Sequence, residues 1–300
     1  MTEAAVPAGE QPAHWQQAVD AACPGAAVRS VQRLTGGRTA HSYKVTTTTH
    51  PLVVKRYRAE DETADLEWKR LTAIGGAGLP SPAPLALDAR GAWFGVPALA
   101  MSLLPGTPDL RPADRDSWLA RMADALAGIH AVAVPSPPPV LRRPLATLTW
   151  TPPEPPVDTL VAAASAVLER DLPRVRWQPR LIHGDFHPGN LLWEAGRLTG
   201  VVDWSAARLG PHWYEVAYCR ADIALLAGTA AADRFAQAYL AATGETPENL
   251  ALFDLMAGLY ALREVEQRVD DYRSQGSPVR PAQARGYLEE FLWTALDRHA

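Results

Sequence analysis

The distribution of apolar and polar positions is strand-like over Val28 to Leu34, Tyr43 to Thr48 and Leu52 to Tyr57, with β-branched residues concentrated in the second run. The Gly36-Gly37 pair and Pro51 fall between these runs and predict turns, so the stretch reads as a small antiparallel sheet. Leu66, Lys69-Arg70 and Leu71 are spaced for an amphipathic helix over Asp61 to Ile74, which Gly75-Gly76 and Gly78 would end. A further strand pair follows, Leu85 to Asp88 and Trp93 to Leu104. After Gly106 the period changes. Trp118, Met122, Ala125, Leu126 and Ile129 line one face of a helix over Asp114 to Val132. Helical patterns return at Thr159 to Arg170, Trp213 to Ala227, Ala231 to Thr243, Asn249 to Arg273 and Gln283 to Arg298. Two short apolar strands, Leu191 to Trp193 and Leu198 to Val202, interrupt the series. The fold class is therefore α+β: residues 1-105 form a β-rich lobe with one inserted helix, and residues 106-300 form a mainly helical one. Between Pro135 and Pro156 nine residues are proline, which excludes regular structure and implies a surface excursion.

Composition narrows the function. With 47% hydrophobic and 21% charged residues in 300, the chain can bury a real core. A net charge of -4 and no basic face exclude general nucleic-acid binding. No apolar run reaches the roughly 18 residues that span a bilayer, and the first residues lack the basic start and apolar core of a signal peptide. Cys23 and Cys219 cannot make a disulfide framework. The expectation is a cytoplasmic protein. Of 29 basic residues only Lys44, Lys55 and Lys69 are lysines, which draws attention to each.

The chemistry concentrates between Leu181 and Trp204, in L-I-H-G-D-F-H-P-G-N-L-L-W, six residues, then G-V-V-D-W. A polar loop holding His183, Asp185, His187 and Asn190 precedes one short strand, and Asp203 follows the next. Two carboxylates and an amide are thus presented at the ends of a strand pair. Phosphoryl transfer from ATP needs such a set. Mg2+ takes hard oxygen ligands, which Asn190 and Asp203 can supply. A carboxylate that does not bind metal must accept the proton of the attacking hydroxyl, and Asp185 is placed for that. A zinc site at His183 and His187 would want a helical i,i+4 pair and a third ligand, and Gly184 and Pro188 forbid that helix. Turn formation or helix capping is the plainer role for either aspartate alone, and loop bracing is the plainer role for His183.

H-G-D-F-H-P-G-N followed by V-V-D-W resembles the motifs of the aminoglycoside phosphotransferase and choline kinase family, which has a protein-kinase-like bilobal fold. The resemblance implies a five-stranded lobe with one helix, a hinge near residue 103 within 101-105, and a larger helical lobe. It implies Asp185 as the catalytic residue, and Asn190 and Asp203 as the magnesium ligands. It implies Lys55, in V-V-K-R-Y, on the α- and β-phosphates, paired with Glu67, with Glu62 and Glu60 as other partners. It implies Gly36 and Gly37 over the phosphates, assisted by Thr35, Arg38 or Ser42, and Met101, Ser102 and Leu103 against adenine. Where the family often has G-D-P and then an Asp, this chain has Gly210-Pro211-His212 and Glu215. Glu215 and Asp222 are the candidate substrate contacts. Asp254, Glu264, Glu266, Asp270 and Asp271 either neutralise a polycationic acceptor or form a solvated face balanced by arginines. The acceptor would be the hydroxyl of a small molecule: an aminoglycoside, another antibiotic, a sugar or an amino alcohol. A pseudokinase acting as an interaction module, and a kinase of a protein-bound group such as a glycated lysine, are the rival readings.

Overall fold

The computed structural model describes residues 11–34, 40–58, 62–142, 150–151 and 158–299. The Gly36-Gly37 turn with Thr35 and Arg38, Glu60, and much of the proline-rich stretch lie outside these residues. The chain divides into two compact units. One comprises Met1–Thr107 with Thr199–Ala206, and the other Pro108–Leu198 with Ala207–Ala300.

The first unit contains α1 (Pro12–Ala22), β1 (Val28–Arg33), β2 (Ala40–Thr47), β3 (Leu52–Tyr57), α2 (Thr63–Ile74), β4 (Pro84–Asp88) and β5 (Ala98–Ser102). The strands form one antiparallel five-stranded sheet in the order β1-β2-β3-β5-β4. Alternation on β3 sends Leu52 and Val54 into a core with Trp15, Val31, Tyr43, Val45 and Ala100, and turns Lys55 and Tyr57 to the opposite face. Lys55 stands opposite Ser42 on β2 and Leu99 on β5. The sequence reading lacked α1, although Pro12 at its start and buried Trp15, Ala18 and Val19 are ordinary helix signals. The Trp15 ring packs 4.9 Å from that of Tyr43 and 4.7 Å from that of Phe94.

The expected strand from Trp93 begins only at Ala98. The Asp88 carboxylate accepts the N–H groups of Arg90 and Trp93 at 3.2 and 2.6 Å. Gly91 and Gly95 take φ of +76° and +73°, and a side chain at Gly91 would meet the backbone of Gly95 and Val96 at 2.8 Å. This tight turn uses up the residues before β5.

The second unit contains α3 (Arg115–His130), α4 (Thr159–Asp171), β6 (Pro179–Ile182), β7 (Leu191–Glu194), β8 (Arg197–Val201), β9 (Arg208–Pro211), α5 (His212–Ala227), α6 (Thr229–Thr243), α7 (Leu250–Arg263), α8 (Val265–Ser274) and α9 (Pro281–His299). β8 begins here and ends in the first unit. Asp114 and Asp158 cap α3 and α4, accepting from Ser117 N at 3.0 Å and Val161 N at 2.8 Å. α5 is buried on nearly every side and packs against α6, α7 and α9. Three differences from the sequence reading stand out. Pro139–Arg142 forms one 3-10 turn inside the proline-rich stretch, since proline suits the start of such a turn. The single helix expected over Asn249 to Arg273 breaks at Glu264, which has φ -107° and ψ 16°: the apolar α7 stays in the core while the polar α8 leaves it. β6 pairs with β9, Leu181 facing Leu209 and Ile182 facing Arg208, a long-range partnership that no local pattern announces. No helix among the described residues is long and apolar enough to cross a membrane.

Candidate active site

In the first unit three charged side chains converge on one face of the sheet. β3 carries Lys55, α2 carries Glu67, and the segment after β8 carries Asp203. Lys55 Nζ donates to Glu67 Oε2 at 2.8 Å and to Asp203 Oδ1 at 2.9 Å. Glu67, 1% exposed, also accepts from the Tyr57 hydroxyl at 2.5 Å. Burial opposes the lysine charge, but the Glu67 and Asp203 carboxylates outweigh it and hold the Lys55 pKa above its ordinary value. Asp203 adopts φ +65°, a left-handed conformation that aspartate tolerates better than most residues. Ser205 Oγ donates to Asp203 Oδ1 at 2.7 Å, and Arg70 Nη1 donates to the Ser205 carbonyl, so α2 holds the turn that displays Asp203.

In the second unit β6 delivers the chain into the loop from His183 to Asn190. Glu215, near the start of α5, accepts His183 N at 3.0 Å and Gly184 N. It also contacts His130 Nε2 at 2.9 Å, whose Nδ1 meets the Tyr239 hydroxyl at 2.8 Å. The His183 ring accepts Asp185 N at 3.2 Å, the bracing role expected of it. Asn190 Nδ2 donates to Asp185 O at 3.0 Å and to Asp185 Oδ2 at 3.2 Å, and its Oδ1 makes no hydrogen bond among the described residues. The Tyr218 hydroxyl donates to Asp185 Oδ1 at 2.9 Å. Burial, reinforced by the Asp185 charge, pushes the Tyr218 pKa well up, so the phenol stays a donor. His187 Nδ1 accepts Gly189 N at 3.1 Å and lies 3.1 Å from the Tyr272 hydroxyl, which leaves Nε2 as the protonated nitrogen of the neutral ring.

Lys55, Glu67 and Asp203 therefore meet in one unit, and Asp185 and Asn190 meet in the other. Met101 and Ser102 belong to β5. The N–H of Ser102 is taken by Ala83 O at 2.9 Å, so that group does not serve adenine, and Leu103 is the first residue past the strand. Glu62 precedes α2 and makes no ion pair with Lys55 among the described residues. Glu215 and Asp222, expected to face the acceptor, are 2% and 1% exposed. Glu215 anchors the loop, and both Asp222 oxygens accept from Arg268 Nη1 at 3.0 Å. They were misassigned because α5 is so thoroughly buried that its polar residues face protein. His130, Tyr218 and Tyr239 were missed, since nothing near them in the chain signals the loop they serve. Among the described residues no three His, Cys, Asp or Glu side chains cluster to hold a metal ion.

The chain matches the phosphotransferase enzyme family over residues 30–253. Hygromycin-B 4-O-kinase of Escherichia coli is 41% identical over 66 residues, which are 20% of this chain and 18% of that protein. That match therefore spans less than a fifth of the kinase. Homoserine kinase of Methylobacterium sp. (strain 4-46) is 28% identical over 255 residues, 74% of this chain and 78% of that protein. A crystal structure of aminoglycoside phosphotransferase APH(4)-Ia, a thermostable mutant in a ternary complex with ADP and hygromycin B, superposes with a TM-score of 0.66 at 18% identity. It covers 93% of this chain and 97% of the other. The fold is the protein-kinase-like one of these phosphotransferases.

Proposed function

Because the chain belongs to the phosphotransferase enzyme family, we propose that it moves the γ-phosphate of ATP, with magnesium, to a hydroxyl of a small molecule. The observation that carries this reading is the pairing of Lys55 with both Glu67 and Asp203, beside the bracing of Asp185 by Asn190. Lys55 would direct a fixed point charge at the α- and β-phosphates, its rotamer held by Glu67. Leu103 and the chain just beyond it would meet the adenine. The acceptor oxygen would bond to the γ-phosphorus as the bond to the bridging oxygen breaks, ADP leaves, and the hydroxyl proton passes to Asp185. That carboxylate is pre-aimed by two donors, which makes catalysis largely a matter of positioning.

Magnesium is the ion to which the chemistry of each residue separately is suited. Asp203 offers a carboxylate and Asn190 an amide oxygen left over once its N–H groups serve Asp185; both are hard ligands, and phosphate oxygens and water complete such a shell. Bound there, the ion would neutralise phosphate charge. The relatives' acceptors, hygromycin B and homoserine, are both hydroxyl compounds of small size, which supports the acceptor class.

Calorimetry with MgATP tests the reading without knowledge of the acceptor. Wild type is expected to bind, and Asp203→Asn, which tolerates the same φ, is expected to lose the magnesium-dependent part. Well-folded wild type that binds no nucleotide would remove the kinase assignment. Binding without turnover on any acceptor would favour a pseudokinase.

A further inference from the structure

The side of Asp185 away from Asn190 is built from two helices of the second unit. α5 presents Tyr214, Tyr218 and Asp222 in one line, each four residues from the next, and α8 presents Arg268 and Tyr272 four apart. Tyr218 donates to Asp185, and the Arg268 guanidinium lies over its ring, 5.3 Å from the centroid. The Tyr272 hydroxyl reaches His187. Arg208, at the start of β9, adds its charge to that of Arg268 around Tyr214. A group that brought a hydroxyl to Asp185 would therefore extend over tyrosine rings towards a guanidinium.

Arg268 is not fully satisfied there. Its side chain is 12% exposed. Nη1 spends its hydrogens on the two oxygens of Asp222. Nε is buried without a hydrogen bond, its one charge contact being Glu264 Oε2 at 3.4 Å. Nη2 makes no hydrogen bond among the described residues. The edge of a guanidinium formed by Nε and Nη2 is the fork that takes a carboxylate or phosphate, and unmade hydrogen bonds on a partly buried cation are an unusual expense for a fold to carry. The neighbouring carboxylates are already engaged: Asp222 beneath Arg268, Glu215 in the loop, Asp254 on Arg220 at 2.9 Å, Glu266 on Arg285 at 2.8 Å, and Asp271 on Gln267 at 3.2 Å. Exposed Asp270 lies on the far side of α8 from Arg268. A polycation would find little here to neutralise it.

We propose that the acceptor is a small alcohol bearing an acid group, with its hydroxyl at Asp185 and its anion on the Nε–Nη2 edge of Arg268, and that Glu264 competes with that anion. This rests on the kinase reading above and narrows it: the preferred substrate is a hydroxy acid of about one aromatic ring's length, not a polyamine.

The test measures ADP release with a panel of short hydroxycarboxylates, homoserine among them, each beside its neutral carboxamide, and with hygromycin B as the polycation. The acids should exceed their amides by roughly ten-fold or more in kcat/KM, the scale of one charge-assisted hydrogen-bonded contact. Arg268→Met alone would strand Asp222, so the double variant Arg268→Met/Asp222→Asn is used, with its thermal midpoint as the check on folding. It should raise KM for the acids by about ten- to a hundred-fold with little change in kcat, and raise KM for the amides by much less. Glu264→Gln should lower KM for the acids. Equal use of acids and amides, faster turnover of hygromycin B, a KM indifferent to both variants, or a silent panel while MgATP still binds would each overturn the proposal. Failure of MgATP to bind would instead overturn the kinase reading beneath it.

Discussion

Lys55 is 5% exposed, and an ammonium so placed has lost most of its hydration. Two carboxylates within hydrogen-bond reach restore the charge, so this lysine, one of three in the chain, keeps its ammonium in a place where burial alone would discourage it. Asp185 is held by different means, each oxygen accepting from a neutral donor: Tyr218 on one and Asn190 on the other. Tyr218→Phe keeps the ring beneath Arg268 and removes only the donor. Steady-state kinetics on a turned-over acceptor should show kcat falling about ten-fold at nearly constant KM, the scale of one hydrogen bond to a charged group. A raised KM with unchanged kcat would make Tyr218 an acceptor contact and nothing more. Asp185 and Asn190 were legible because a five-residue spacing in a loop rich in Gly and Pro brings them together locally. Tyr218 was not, because its partnership crosses from a loop to a helix turn with no periodic trace.

Among elements, α5 and α7 form the centre of the second unit. Arg220 on α5 is 1% exposed, with Nε on Asp254 Oδ1 at 2.9 Å, Nη2 on Asp254 Oδ2 at 3.0 Å, and Nη1 on the Ala232 carbonyl at 2.8 Å. Burial holds the Asp254 pKa above its ordinary value despite the arginine. Arg220→Met would leave that carboxylate alone in the core, and denaturant titration should find a loss of about 3–5 kcal/mol, much of it returned by Arg220→Met/Asp254→Leu. Asp254 thus belongs to the core and not to the solvated face expected of it, whereas Glu266 with Arg285 and Glu264 with Arg268 fit the reading of an acidic face balanced by arginines. Long periodic helices and the first three strands were legible from residue pattern alone. The break at Glu264 and the pairing of β6 with β9 were not, since each depends on which distant surface covers which face. Near-continuous apolar stretches such as α5 and α7 carry no phase from which to read an inside and an outside.

Across the molecule, acid should weaken folding through His212. Burial first, then the charges of His130 and Arg180, push its pKa down to about 4 against the pull of Glu245. The folded ring is then neutral between that value and the ordinary histidine range near 6.5, where the unfolded ring is protonated. The unfolded state binds the extra proton in this window, so stability is complete above it and declines as pH falls through it. Denaturation midpoints at pH 7 and pH 5 should differ less in His212→Asn than in wild type, and an unchanged difference would remove His212 from the account.

Asp203 reaches Lys55 by a return of the chain: Thr199–Ala206 belongs to the first unit, with Val201 N on the Pro80 carbonyl at 2.8 Å and Thr199 Oγ1 on the Pro105 carbonyl at 2.6 Å. The Lys55, Glu67 and Asp203 cluster is thus encoded in two separated pieces of gene. A single crossover between relatives anywhere from residue 108 to 198 would join one parent's Lys55 and Glu67 to the other parent's Asp203. Only variants whose two pieces remain electrostatically matched would survive such an exchange, so these three side chains are expected to be inherited as a set.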